Sequence, residues 1–351
     1  TVTVNASPAA PTITGNTSVC AGATGVTYST GTYSSYNWTV TNGTITAGQG
    51  TNTITVTWSN TPGTGNVAVA ITDANGCSAS NSINVTINAL PTPSISGSNT
   101  VNINTDLVLT STNAYNAYQW TASGSPTITN GTSQSATFNW SNAGSYVVTL
   151  TVTDANGCQN STTHNVTVTQ APVITGNPNN ATSCDPGTAQ FSVTSVSGLP
   201  TPTLEWQVST DNGNNWSAVS GPDYSGANTT TLTVNNVTGK HGYQYRLYAY
   251  NGVSPDAYSN AATLTITTPV TPFVTITSSD VDNEFCSGTS VTFTATVNNT
   301  GGGTVAYQWR LNGNNVGANQ NTYTTNTLAN NDQVWVVITI TGGCVTTNTA
   351  T

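Results

Sequence analysis

The chain has 351 residues, a formal net charge of −9 and 4% charged side chains against 35% hydrophobic ones. Three basic residues, Lys240, Arg246 and Arg310, cannot build the clustered cationic face that phosphate or anionic lipid requires, which excludes nucleic-acid binding and electrostatic membrane docking. Eight Trp and fourteen Tyr set among alternating Val, Ile and Thr runs separate the sequence from disordered polar chains.

The opening Thr1-Val2-Thr3-Val4-Asn5 alternates as a strand does and runs into a Pro-marked linker. The same pattern recurs as Asn84–Asn88 before Pro91, Asn165–Thr169 before Pro172 and Leu264–Thr267 before Pro269. In those places it reads as the last strand of a unit, so residues 1–7 are expected to be the last strand of a preceding or neighbouring unit plus linker. No Met, leader peptide or membrane-length apolar run occurs, and a chain without Met is expected to be a processed product or part of something longer.

Four units follow, expected over 8–89, 90–170, 171–268 and 269–351. Each carries one large apolar residue, one polar residue and a Trp: Tyr36-Asn37-Trp38, Tyr118-Gln119-Trp120, Leu204-Glu205-Trp206 and Tyr307-Gln308-Trp309. Strand alternation puts the outer two residues of each triplet on one face, so Trp38, Trp120, Trp206 and Trp309 are the expected core anchors of small sandwiches. Units one and two are close repeats. Trp38 and Trp120 are 82 residues apart, and Asp73-Ala74-Asn75-Gly76-Cys77 returns as Asp154-Ala155-Asn156-Gly157-Cys158. The Asn-Gly pairs predict tight hairpins. Asn142 to Val148 in unit two resembles the tyrosine corner of immunoglobulin-like sandwiches. No segment has a helical period. The expected fold class is all-β: four tandem Ig-like or PKD-like β-sandwich domains in an elongated array. Unit four stops soon after Cys344, and Thr1–Asn5 looks like the strand it lacks. That points either to a window in a longer tandem array, the plainer reading, or to strand donation between subunits.

Taken together, Thr44 through Trp58 and Asp73 through Cys77 in unit one, with Tyr307 through Gly317 in unit four, resemble the tandem PKD-like and Ig-like modules of large surface proteins from Bacteroidota-type bacteria. The resemblance implies β-sandwich repeats, type IX secretion and a role in adhesion, gliding motility or extracellular filaments, and it fixes no ligand.

Cys20 and Cys77 bracket unit one and Cys286 and Cys344 bracket unit four, so a disulfide is expected within each. Cys158 and Cys184 are left as two free thiols, one bridge, or links to another subunit, with free thiols the plainest reading. Asp280, Asp282 and Glu284 would share one side of an extended segment and could hold Ca²⁺, the one candidate cofactor; the plainer reading is a solvated acidic stretch. His164 and His241 are isolated, Glu205 is expected to be exposed, and no carboxylate pair or nucleophile motif suggests an enzyme. The expected function is a structural stalk or filament segment of an extracellular adhesive apparatus, for surface attachment, gliding or capture of prey or other cells. The alternatives are a glycan- or protein-binding module, with Tyr115, Tyr118, Tyr224 or Tyr258 as stacking surfaces, and a non-catalytic arm of a secreted hydrolase. Expected partners are other copies or repeats of the same protein and a cell-surface glycan or protein.

Overall fold

A computed structural model describes residues 1–351, and every regular element in it is a β-strand. The chain divides into two compact units, Thr1–Gln170 and Ala171–Thr351. Each unit holds two separate hydrophobic cores, and each core lies between two facing sheets.

In the first sandwich one sheet runs, edge to edge, Ser18–Cys20, Ser78–Asn88, Gly63–Thr72, Ser35–Thr41. The other runs Thr14–Gly15, Val26–Ser29, Thr53–Trp58, Gly43–Ala47. The second sandwich repeats the first arrangement with Thr100–Asn102, Gln159–Thr175, Gly144–Thr153 and Ala117–Ala122. In the third, Ala181–Cys184, Ala262–Thr267, Gln244–Tyr250 and Thr203–Ser209 take those places. In all three the last strand lies between its hairpin partner and a short early strand that pairs with it in parallel.

The four Trp are 0–4% exposed, and each indole is held in the same way. The ring N–H donates to a main-chain carbonyl in a turn across the core: Trp38 to Thr51 at 2.9 Å, Trp120 to Ser133 at 2.9 Å, Trp206 to Thr229 at 2.8 Å and Trp309 to Gln320 at 2.9 Å. In two sandwiches the turn is Gly-x-x-Thr, closed by Thr51 N–H to Gly48 O and by Thr229 N–H to Gly226 O, both 3.0 Å. Gly48 and Gly226 have φ of +85° and +77°, where a side chain is strained. Tyr146 donates to Asn142 O at 3.1 Å, the local bond of a tyrosine corner.

The Asn-Gly hairpins form, with one difference from the tight turn that Asn75-Gly76 and Asn156-Gly157 suggest. Thr72 pairs with Ser78 and Thr153 with Gln159, so each loop has five residues. The Asp at its start builds the loop. Asp73 Oδ1 accepts from Asn75 N–H and Cys77 N–H, both 2.9 Å, and Asp154 Oδ1 accepts from Asn156 and Cys158 at the same distances.

Thr1–Asn5 forms no strand, because no sheet edge lies beside it, and Val2 and Val4 are 91% and 87% exposed. The fourth sandwich is the least complete. Its strand Val334–Thr341 meets only the two-residue strand Thr349–Ala350 on one side, beside Ile338 and Thr339. Its core has five buried residues, where the other three cores have eleven to thirteen.

Trp206→Phe, which leaves the Thr229 carbonyl without its donor and a gap in the core, is expected to cost about 2–4 kcal/mol, read as a lower urea midpoint. Gly48→Ala would place a Cβ 2.0 Å from Thr53 O at positive φ, and is expected to destabilise the first sandwich by more than about 1 kcal/mol in the same measurement.

Candidate functional site

The cysteines pair differently from the sequence expectation. The bridges are Cys20–Cys158 and Cys184–Cys344, with Cα separations of 5.6 and 5.5 Å, and Cys77 and Cys286 are free. Sheet polarity explains the correction. Cys20 pairs in register with Asn88, at the far end of the eleven-residue strand Ser78–Asn88, while Cys77 immediately precedes that strand. At about 3.3 Å per residue the two ends are ~35 Å apart, and a disulfide tolerates no more than about 7 Å between Cα atoms. Likewise Cys184 pairs with Thr267, at the end of the last strand of the third sandwich.

Each bridge therefore joins the outgoing end of one sandwich to the incoming loop of the next. Further bonds grip each joint. Asn160 donates to Pro91 O at 2.9 Å in the first unit. In the second, Val270 N–H donates to Cys344 O at 3.1 Å and Thr346 N–H donates to Val270 O at 3.0 Å. The loop closed by each bridge is long, 138 and 160 residues in separation, but the sandwiches inside it are folded independently around their own cores. The bridges act on the joints more than on the cores.

A second feature lies on the outer face of the third sandwich. Tyr250, Tyr248 and Arg246 alternate along the strand Gln244–Tyr250 and stand opposite Thr203, Glu205 and Gln207. Tyr248 stacks on Tyr250 at 5.0 Å and on Tyr258 at 4.8 Å between ring centroids. The Arg246 guanidinium is clamped between Trp216 and Tyr258, 4.2 and 4.4 Å from the ring centres. Its Nε donates to Gln207 Oε1 at 3.0 Å, and Gln207 Nε2 donates to Glu205 Oε1 at 3.0 Å. Glu205 is thus half-buried in this row and not exposed as expected. Partial burial holds the Arg246 pKa below its ordinary value. Tyr248 donates to Asp256 Oδ2 at 2.8 Å, and that carboxylate pushes the phenol up to about 12. Tyr258, at 52% exposure, and Tyr250, at 38%, present ring surface to solvent. Alternating Tyr and Arg on one strand was the available sequence signal for this row; the sequence reading singled out Tyr258 alone.

The remaining candidates have other surroundings. Tyr115 and Tyr224 are half-buried, and Tyr118 Oη accepts from Tyr115 N–H at 2.7 Å. His241 Nδ1 accepts from Ile266 N–H at 3.0 Å, and His164 Nε2 lies 3.2 Å from Ser98 O. The Asp280–Glu284 stretch is not extended. It bends through Asn283 at φ +57°, so strand alternation does not put its three carboxylates on one side, and they do not form a group that could hold a metal ion. Asp282 Oδ1 accepts instead from Glu284 N–H at 3.2 Å, and that bond, followed by one with Asp280, lowers its pKa.

A PKD-like domain family matches residues 6–87, and a domain of unknown function, DUF8696, matches residues 175–268. No curated protein matches the chain. Among solved structures the chain is similar to extracellular domains 3–5 of Drosophila OTK, at 13% identity over 76% of this chain and 100% of that one, with a TM-score of 0.35. It is also similar to the insect immune protein hemolin, at 12% identity over 73% and 76% with a TM-score of 0.37. A third is the N-terminal four Ig domains of Dscam1 isoform 6.9, at 11% identity over 97% of both chains with a TM-score of 0.26. The chain is a tandem series of Ig-like and PKD-like sandwiches.

Two outcomes are expected. Chymotryptic peptide mapping under non-reducing conditions should recover Cys20 linked to Cys158 and Cys184 linked to Cys344; trypsin has only Lys240, Arg246 and Arg310 to cut. Asp256→Asn removes the carboxylate that favours the protonated phenol, so the Tyr248 pKa, followed by ¹³Cζ NMR, should fall from about 12 back toward about 10. Because the folded pKa lies above the unfolded one, the Tyr248 contribution to stability is complete below about pH 10 and is lost as pH rises toward about 12.

Proposed function

We propose that the chain is a load-bearing structural segment, a stalk or filament element, of an extracellular adhesive apparatus serving surface attachment, gliding motility or capture of other cells. The observation that carries this reading is the covalent path. From Thr1 the backbone runs to Cys20, crosses to Cys158, runs to Cys184, crosses to Cys344 and continues to Thr351. A pull on the two ends is carried by about 55 residues and two disulfides, so the oxidised chain can lengthen to no more than ~190 Å at about 3.4 Å per residue. The buried residues of the third and fourth cores lie wholly inside the Cys184–Cys344 loop, and most of those of the first and second lie inside the Cys20–Cys158 loop, so the bridges relieve the backbone within those loops of tension.

The setting fits this use. Disulfides persist in oxidising, extracellular surroundings. One ion pair, Lys240 with Asp223 at 2.8 Å, is present, so added salt has little to screen. The match of residues 6–87 to a PKD-like family supports a repeat of surface-protein type.

Single-molecule stretching from the two termini tests the proposal. The oxidised chain is expected to yield a contour below about 200 Å, and the chain in reductant about 1,200 Å. Full extension without reductant would remove the load path and the proposal with it.

One observation favours a second reading, recognition of a glycan or protein: the exposed Tyr250–Tyr248–Tyr258 row with its clamped Arg246 offers aromatic faces for stacking. Saturable binding to a glycan array, lost in Tyr258→Ala and retained in Tyr115→Ala, is its expected signature.

A further inference from the structure

The two free cysteines stand at the two halves of the joint that Cys20–Cys158 and Cys184–Cys344 close. Cys77 is the loop half. Its pentapeptide is identical in sequence to that of Cys158, and the same Asp oxygen holds the same two N–H groups at the same distances. Cys286 is the early-strand half. It precedes the buried Val291 by five residues, as Cys184 precedes the buried Ala189, and Phe293 follows it by seven, as Phe191 follows Cys184. Both halves therefore lack only their counterpart.

What surrounds them shows what the counterpart brings. In the second unit the Cys344 sulfur lies 3.4 Å from Thr267 O, and Thr267 is the residue paired with the bridging partner, Cys184. In the first unit the Cys77 sulfur lies 3.9 Å from Asn5 O. Asn5 thus stands where Thr267 stands, and the residue that should pair with Asn5 is the missing cysteine. The segment ending at Asn5 also matches a last strand: Val2 and Val4 correspond to Val85 and Ile87, which are 0% and 2% exposed in the first sandwich.

The fourth sandwich has a vacant place of that shape. A cleft of about 840 Å³ lies between Asn283–Phe285 on one side and Leu328–Asp332 on the other. In the other three sandwiches the last strand runs between the early strand and its hairpin partner; here the cleft lies between the segment that precedes Val291 and the turn that precedes Val334–Thr341. Val69 faces Trp38 and Val336 faces Trp309, which fixes the register between sandwiches one and four. Counted back in that register, the places of Val2, Val4 and Asn5 correspond to Asp332, Asn330 and Cys286; Asn330 and Asp332 lie in the turn that precedes Val334–Thr341, closed by Asp332 N–H to Ala329 O at 3.2 Å. Asp332 and Asn330 both line the cleft.

We propose that Thr1–Asn5 of one copy of this chain seats as the last strand of the fourth sandwich of a second copy, and that Cys77 of the first is then disulfide-bonded to Cys286 of the second. The occupant is a second copy because the same 351 residues carry both the exposed apolar strand and the cleft, on sandwiches one and four. The contact is head-to-tail, joining sandwich one of one copy to sandwich four of the next, so it can be repeated from copy to copy. It buries two valines that are otherwise in water.

The bond forms by exchange with a low-molecular-weight disulfide. The Cys77 thiolate attacks one of its sulfurs and expels a thiol. The Cys286 thiolate then attacks the Cys77 sulfur of the mixed disulfide and expels the second. Two protein thiols become one disulfide as one small disulfide becomes two thiols.

This inference rests on the filament reading and names its partner. Its test is separate from stretching, which reports on a single chain. The 351-residue chain, held in oxidised glutathione, is run on a non-reducing gel and mapped by mass spectrometry. A ladder of dimers and higher species that collapses in reductant, with a Cys77–Cys286 peptide, is expected. Cys77→Ser and Cys286→Ser should each remain monomeric on the gel, and their mixture should give dimers and nothing larger. Val2→Asp with Val4→Asp should abolish the ladder while Cys20–Cys158 and Cys184–Cys344 still form, which separates a lost junction from a misfolded chain. A monomer retaining two titratable thiols, or links of Cys77 to Cys77 or Cys286 to Cys286, would overturn the proposal.

Discussion

The interaction on which the four sandwiches depend is the hydrogen bond from a buried indole to a turn carbonyl. Trp38, Trp120, Trp206 and Trp309 each sit on a strand of one sheet, and each ring N–H reaches a turn across the core that leads into the opposite sheet. A Trp ring buried with its N–H unbonded would forfeit much of what its burial gains, so the turn must present a carbonyl at one place. That requirement puts glycines at positive φ at Gly48 and Gly226, and threonines whose hydroxyls close the turn by donating to Gly48 O and Gly226 O. The sheet-to-sheet distance, the strand register and the position of the last strand follow from it. So does the comparison between sandwiches one and four, because the residue facing the Trp is a common origin for counting along the neighbouring strand.

This frame was legible in the sequence because it is periodic. An apolar-x-Trp triplet, an alternating last strand and a Pro-marked linker are local signals that repeat with the unit. The disulfide pairing was not legible in the same way. Cys20 and Cys77 look like a pair because they bracket one unit, yet bracketing in sequence says nothing about which end of a sandwich a residue occupies. Polarity decides that, and it comes from one parallel contact, Ser18–Cys20 with the end of Ser78–Asn88. Short parallel edge strands carry almost no sequence signal: three residues, one exposed, one buried and one half-buried. The acidic stretch at Asp280 failed for a related reason. Its alternation argument assumed an extended chain, and the segment instead bends through Asn283.

The near absence of charge changes how the surface is held. Asn and Thr side chains do the work that ion pairs share elsewhere: Asn81 and Asn160 donate to the linker carbonyls of Pro11 and Pro91, and Asn299 donates to Thr271 O. These bonds are short-range, and salt screens them far less than it screens ion pairs. The exception is the third sandwich, where Arg246 and Glu205 are drawn into an aromatic row and Lys240 is paired with Asp223. Two of the three basic residues of the whole chain lie in this one sandwich. A surface otherwise built to be indifferent thus has one place with chemical character.

Sheet edges connect architecture to use. In sandwiches one to three a short parallel strand covers the end of the last strand on its outer edge. In the fourth no early strand is formed, Val334–Val337 lie beyond the two residues paired with Thr349–Ala350, and Cys286 has no partner. An uncovered edge is ordinarily an aggregation hazard because any strand can add to it. Here the cleft is narrowed by what a seated strand must bring: two inward apolar side chains at alternate positions, and a cysteine presented by an Asp-braced loop at its end. Those conditions turn a general liability into a specific address, and in this chain Thr1–Asn5 followed by Cys77 meets all of them.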